Sequence, residues 1–207
     1  MATRLGICGV LGRKTCGRRF AVATNALTRE GMKGDGKALQ MGTSHELGQN
    51  FAKAFDITYL SEQSRQETCW TTSWGTSTRM VGGLIMCHGD DAGLRVPPRL
   101  APVQALVMVV KDGEGVVEAA EHLVAGLLAR GVRAELDARV DTPFGRRAVD
   151  AELKGIPVRV EVGPRDLADG SVTVARRIAG GKTSVPLGGV VDTVAGALDE
   201  DHQALYA

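Results

Sequence analysis

The chain carries no excess of either charge: 25 Lys+Arg stand against 24 Asp+Glu, a formal net of +1. That excludes a protein that grips nucleic acid by bulk positive charge, while leaving room for a local basic face. No apolar run approaches the ~20 residues of a membrane-spanning helix. The four cysteines (Cys8, Cys16, Cys69, Cys87) form no C-x-x-C pair and have no zinc-ligand spacing, which points to reduced thiols in an intracellular chain. No Walker P-loop, Rossmann glycine fingerprint, Ser/His/Asp set or Cys/His set can be assembled. Aromatics are scarce at 4% of 207 residues, whereas 27 glycines mark many places where the backbone needs positive φ or close approach. With 43% hydrophobic and 24% charged residues, the chain reads as globular and long enough for one large or two small domains.

Charge is unevenly spread. Residues 1–29 hold six basic residues and no acid, the composition of a transit peptide or of a strand and loop from a larger protein. Further on, Lys37–Met41 alternates like a strand ended by Gly42. Thr43-Ser44-His45-Glu46 then reads as a capping box, opening a helix with Leu47, Phe51 and Phe55 on one stripe. Ile57–Leu60 and Glu67–Trp74 read as strands, and Thr76–His88 as a buried helix softened by Gly82-Gly83. Pro97, Pro98 and Pro102 forbid helix and mark a domain boundary. Beyond it strand and helix alternate: Ala105–Val110, helix Glu114–Arg130 stopped by Gly131, Val132–Leu136, helix Arg146–Lys154 stopped by Gly155. Pro157–Val162, Ser171–Arg176, Lys182–Val185 and helix Val190–Tyr206 follow. That order predicts a mixed sheet with helices on its faces.

Three clusters could carry chemistry. Gln40-Met41-Gly42-Thr43-Ser44-His45 is either an anion cradle at a helix start or a capped helix with a surface histidine. Thr71–Arg79 crowds hydroxyls and one arginine at a strand-to-helix junction, suited to phosphate oxygens or to a solvated first turn. Residues 146–182 hold eight basic and five acidic residues, inside a segment 103–207 with 12 basic and 16 acidic. This is a locally basic face for RNA or ordinary charge pairing across strands. His88-Gly89-Asp90-Asp91 is a weak candidate for a divalent ion, and Arg65-Gln66-Glu67 reads as a solvated turn.

On these clusters the sequence resembles the prolyl-tRNA synthetases of the archaeal and eukaryotic type. The residues that carry the likeness are Gly36–Phe51, Trp70-Thr71-Thr72-Ser73-Trp74-Gly75, His88–Asp91 with Pro97-Pro98-Arg99, and Glu152–Asp166. The resemblance implies that residues 1–102 are the C-terminal part of a class II catalytic domain, built on an antiparallel sheet. Residues 103–207 are then an α/β mixed-sheet anticodon-binding domain. By the match, Gly75–Arg79 is motif 3. Gln40, Thr43, Ser77 and Arg79 bind ATP, with Gln40 near Mg²⁺, and His45 lines the proline pocket. Glu152, Arg159 and Arg165 contact anticodon bases. The implied partners are proline, ATP and the proline tRNA, in a cytoplasmic homodimer with no membrane and no zinc in this stretch.

In that family motifs 1 and 2 precede this region, so the chain is expected to be a fragment of a proline–tRNA ligase, inactive alone. The other reading is a non-catalytic module that binds RNA or a partner through the anticodon domain. Without partner strands residues 1–102 are expected to be marginally ordered, and residues 103–207 to fold alone.

Overall fold

The computed structural model describes residues 2–206. The chain gathers into two compact units, residues 8–87 and residues 2–7 with 88–206. The break falls after Cys87, some ten residues before the prolines that mark a boundary in the sequence.

One helical turn, α1 (Ala2–Leu5), opens the chain and belongs with the later residues. It is held there by two buried histidines, His88 Nε2 lying 2.8 Å from the Leu5 carbonyl and His202 Nε2 2.5 Å from that of Thr3.

Residues 8–87 are built on β1 (Gly9–Arg13), β2 (Asn25–Met32) and β3 (Ala38–Gly48), then a short helix α2 (Asn50–Ala54) and a hairpin of β4 (Thr58–Leu60) and β5 (Gln66–Thr68). Next come β6 (Thr71–Gly75) and helix α3 (Arg79–His88). The four longer strands pair antiparallel in the order β1-β2-β3-β6. Beyond α1 the Arg-rich N-terminus is strand and loop, and β1 and β2 show little alternation in sequence.

The expected capping box is overturned. Thr43, Ser44, His45 and Glu46 lie in the middle of β3, paired on one side to β2 and on the other to β6. A cap matters only where backbone N–H groups lack partners, and here two flanking ladders take them. The helix that does form is five residues long and starts at Asn50. Glu67–Trp74 likewise divides into β5 and β6.

The second unit adds β7 (Ala105–Val109), α4 (Val116–Ala129), β8 (Ala134–Asp137), α5 (Phe144–Leu153) and β9 (Val158–Val162). It closes with α6 (Pro164–Ala168), β10 (Ser171–Arg176), β11 (Lys182–Pro186) and α7 (Val190–Tyr206). The five strands run in the order β11-β10-β9-β7-β8, with β8, β7 and β9 parallel and β10 and β11 antiparallel. One face buries Val107, Val109, Val158, Val160 and Val162 under α4 and α7. The other face buries Leu106 and Met108 under α5, through Ala151 and Phe144. Both units match the expected class, an antiparallel sheet followed by a mixed α/β sheet.

Candidate functional site

In the first unit the register decides which side chains meet. Thr43 pairs with Thr28 and Gly42 with Arg29, but the next pair is Gln40 with Glu30, so Met41 is an extra residue in β3. Paired residues point to the same face, and alternate residues of β2 share a face. The bulge therefore sets Gln40 on the face of Thr43 and His45, which an unbroken strand would deny it. Ser73, opposite His45, and Gly75, opposite Thr43, extend this face onto β6.

Around this face the polar groups are sparsely committed. Gln40 Oε1 accepts a bond from Lys14 Nζ at 2.9 Å. The His45 ring lies 5.7 Å from the Phe20 ring, and its Nδ1 is buried with no partner among the described residues. Phe20 in turn stacks at 6.3 Å on Phe51. Phe20 and Phe51 were not singled out from the sequence as neighbours of His45. Four residues after the end of β6, Arg79 opens α3, its backbone N–H donating to Ser77 Oγ at 3.3 Å. Both side chains are exposed, and the Arg79 guanidinium has no partner among the described residues. The body of α3 lies against the opposite face, where Gly83 approaches Met41 and Leu39.

In the second unit a helix–turn–strand fold-back makes the site. Helix α5 ends at Leu153, Gly155 turns the chain with φ of +71°, and β9 returns beneath. Glu152 in the last turn of α5 thereby meets Arg159 in β9. Arg159 Nη1 and Nη2 donate to Glu152 Oε1 at 3.3 and 3.4 Å, Nη1 to the Ala148 carbonyl at 3.3 Å, and Nε to Glu161 Oε1 at 2.9 Å. Glu161 Oε2 accepts from Lys182 Nζ at 2.8 Å. Glu152, Arg159 and Lys182 border a hollow of about 290 Å³ that Arg176 and Arg177 also line.

Of the two readings of residues 146–182, charge pairing holds for Arg147, Arg159, Arg176, Arg177 and Lys182. Arg176 is held by Asp201 and Glu200 of α7, and Arg177 by Asp90 at 3.0 and 2.5 Å. Arg165, on α6, is exposed and does not line the hollow; its side chain has no partner among the described residues. The structure brings Glu152 and Arg159 together and leaves Arg165 apart. Glu161 and Lys182 were missed, although the Arg-x-Glu spacing in a strand places both side chains on one face.

The weak metal reading at His88–Asp91 fails. Arg177 and Arg95 take the Asp90 carboxylate, and no group of three or more His, Cys, Asp or Glu could hold a metal ion among the described residues. No described helix is long and apolar enough to cross a membrane.

Comparison with known proteins shows what this chain is similar to. The model of the anticodon binding domain matches residues 104–196. The chain is 60% identical over 196 residues to proline–tRNA ligase 2 of Streptomyces avermitilis, covering 95% of this chain and 42% of that one. It is 58% identical over 207 residues to the proline–tRNA ligase of Frankia casuarinae, covering 100% of this chain and 44% of that one. In three dimensions it matches the prolyl-tRNA synthetase of Cryptosporidium parvum, crystallised with L-proline and AMP. That match has a TM-score of 0.90 at 33% identity and covers 99% of this chain and 45% of that one.

Along nearly its whole length the chain is a homologue of proline–tRNA ligases.

It spans less than half the length of the proline–tRNA ligases it matches. Within that span both units have their counterpart, since the structural match takes in nearly the whole chain. In proline–tRNA ligase terms, the hollow at Glu152 and Arg159 lies inside the matched anticodon-binding domain. The face carrying Gln40, Thr43 and His45 lies outside it.

Proposed function

We propose that this chain supplies two working surfaces of a proline–tRNA ligase: part of the site that activates proline with ATP, and the surface that reads the anticodon. On this reading residues 1–102 act as the C-terminal part of the class II catalytic domain, and residues 103–207 as the anticodon-binding domain. The observation that carries it is the β3 bulge, which gathers Gln40, Thr43 and His45 on one face. Identity of 58% across every residue of the chain supports it.

Activation joins proline's carboxylate to the α-phosphate of ATP and expels pyrophosphate. The carboxylate is already a nucleophile, so no general base is required, and positioning with charge stabilisation does most of the catalysis. His45, with its unpartnered Nδ1 and its ring beside Phe20, which stacks on Phe51, gives the proline site one polar handle against an aromatic ring. Arg79, exposed at the head of α3, lies against the triphosphate, with Ser77 and Thr43 offering hydroxyls. Mg²⁺ arrives with the triphosphate, and the Gln40 amide oxygen, a hard donor, is one group suited to it. Anticodon bases, unstacked in their loop, are read by their edges through Glu152 and Arg159, with Arg165 at the backbone or a neighbouring base. The complete ligase acts as a homodimer in the cytoplasm.

On the face of Gln40, Thr43 and His45 the described strands β1, β2, β3 and β6 carry no arginine. The 207-residue polypeptide alone is therefore expected to catalyse proline-dependent ATP–pyrophosphate exchange at least about 10²-fold below a full-length relative, as losing one transition-state donor does elsewhere. The two surfaces are separated in a chimera, with this chain replacing the matching stretch of the Frankia casuarinae ligase. Arg79→Ala should abolish exchange there. Glu152→Ala should leave exchange intact and lower tRNA charging. A chimera active with Arg79→Ala, or one whose exchange depends on Glu152, contradicts the assignment.

A further inference from the structure

Arg159 has two edges. Its Nε is bound by Glu161, while its Nη atoms turn toward Glu152 and the hollow. Glu161 is only 6% exposed, and each of its oxygens holds one cation, Arg159 at 2.9 Å and Lys182 at 2.8 Å. A flexible arginine in water samples many rotamers, and fixing it before a ligand arrives removes that cost from binding.

We propose that Glu161 is the positioning residue of the RNA-reading surface: it locks the Arg159 guanidinium so that only its Nη edge is offered to a base, and it holds Lys182 at the rim. This rests on the anticodon reading given above. Every neighbour the structure gives Glu161 fits the role. Its side chain shares a face with Arg159, since Leu106 pairs with Arg159 and Met108 with Glu161 along the parallel strand β7. Across the sheet Thr173 lies beside Glu161 and Ala175 beside Arg159, neither bringing a competing charge. The Lys182 ammonium lies 5.7 Å from the Phe144 ring, so Lys182 is steered by both an anion and a π face. Glu161 touches the hollow only through its cations, for it is not among the residues that line it.

The test is discrimination between RNA hairpins, one bearing the proline anticodon and one bearing another, by the 207-residue chain. Glu161→Gln should lower the preference for the proline hairpin about tenfold, while weak binding of the other hairpin stays as it was. If Glu161 works through Arg159, Arg159→Gln and the double variant should discriminate equally poorly. Wild-type discrimination by Glu161→Gln, or a further loss in the double variant, overturns the proposal. Glu161→Asp keeps the charge on a shorter arm and should also lose discrimination, with its melting temperature within a few degrees of wild type. A folded Glu161→Asp that discriminates like the wild type overturns the proposal even if Glu161→Gln does not fold. Failure of the wild-type chain to prefer the proline hairpin would instead bring down the anticodon reading itself.

Discussion

At the scale of single residues, the tightest constraint lies where segments 93–96 and 153–155 run together. Leu94 N–H donates to the Leu153 carbonyl and Val96 N–H to the Gly155 carbonyl, both at 3.2 Å. Gly155 has φ of +71°, and a Cβ there would stand 2.5 Å from the Leu94 carbonyl oxygen. Gly131, at the end of α4, has φ of +86° but open space where a Cβ would go. Gly131→Ala is expected to meet conformational strain alone, about 1 kcal/mol, and Gly155→Ala that strain plus a backbone collision, about 2–4 kcal/mol in all. Urea unfolding of the two variants measures the gap, and equal losses would show that the 93–96 segment yields. The same turn brings Glu152 to Arg159, so on the proposed reading Gly155 serves the RNA-reading surface as well as stability.

At the scale of elements, Asp90 ties the loop after α3 to the end of β10. Arg177 bonding, helped by the Ala92 N–H and by Arg95, holds the Asp90 carboxyl down from 3.8 to about 2. A carboxyl depressed in the folded state adds stability that is complete above its ordinary pKa and is lost as pH falls through the folded value. The melting temperature of the wild-type chain should therefore drop more between about pH 4 and pH 2 than that of Asp90→Asn, which has nothing to protonate there. Parallel curves would mean the contact contributes nothing.

In the second unit the strands and the three long helices were legible, because β7 and β9 are apolar runs and α4 and α5 stop just before Gly131 and Gly155; the short helix α6 was not. Ser171–Arg176 and Val190–Tyr206 form as the sequence predicts. Strand β3 was not, since Thr43–Glu46 imitates a cap and only pairing with β2 and β6 overrides it. The bulge at Met41 is a property of a ladder, which one strand's sequence does not display. Gln40, His45 and Arg159 became candidates by resemblance, whereas Phe20 beside His45 and Glu161 beside Arg159 came only with the fold.

At the scale of the whole molecule, the two units differ in what they bury. The second encloses a continuous core of valines, leucines and alanines on both sides of its sheet. The first buries little beyond Ala23, Ala26, Met41, Leu47 and Ala52, and leaves Val10, Leu11 and Trp74 exposed at 74%, 68% and 81%. Val10 and Leu11, adjacent in β1, point to opposite faces, so the sheet exposes apolar side chains on both. On the proposed reading the second unit is the one whose RNA binding can be sought in this chain alone.

The decisive measurement is binding of an RNA hairpin carrying the proline anticodon to this chain at two salt concentrations. Saturable binding is expected, weakened by Arg165→Ala and unchanged by Arg79→Ala, with a salt dependence that becomes shallower when the exposed Arg165 is removed. Binding that ignores Arg165 and falls with Arg79→Ala, or no binding at either salt, would contradict the anticodon reading.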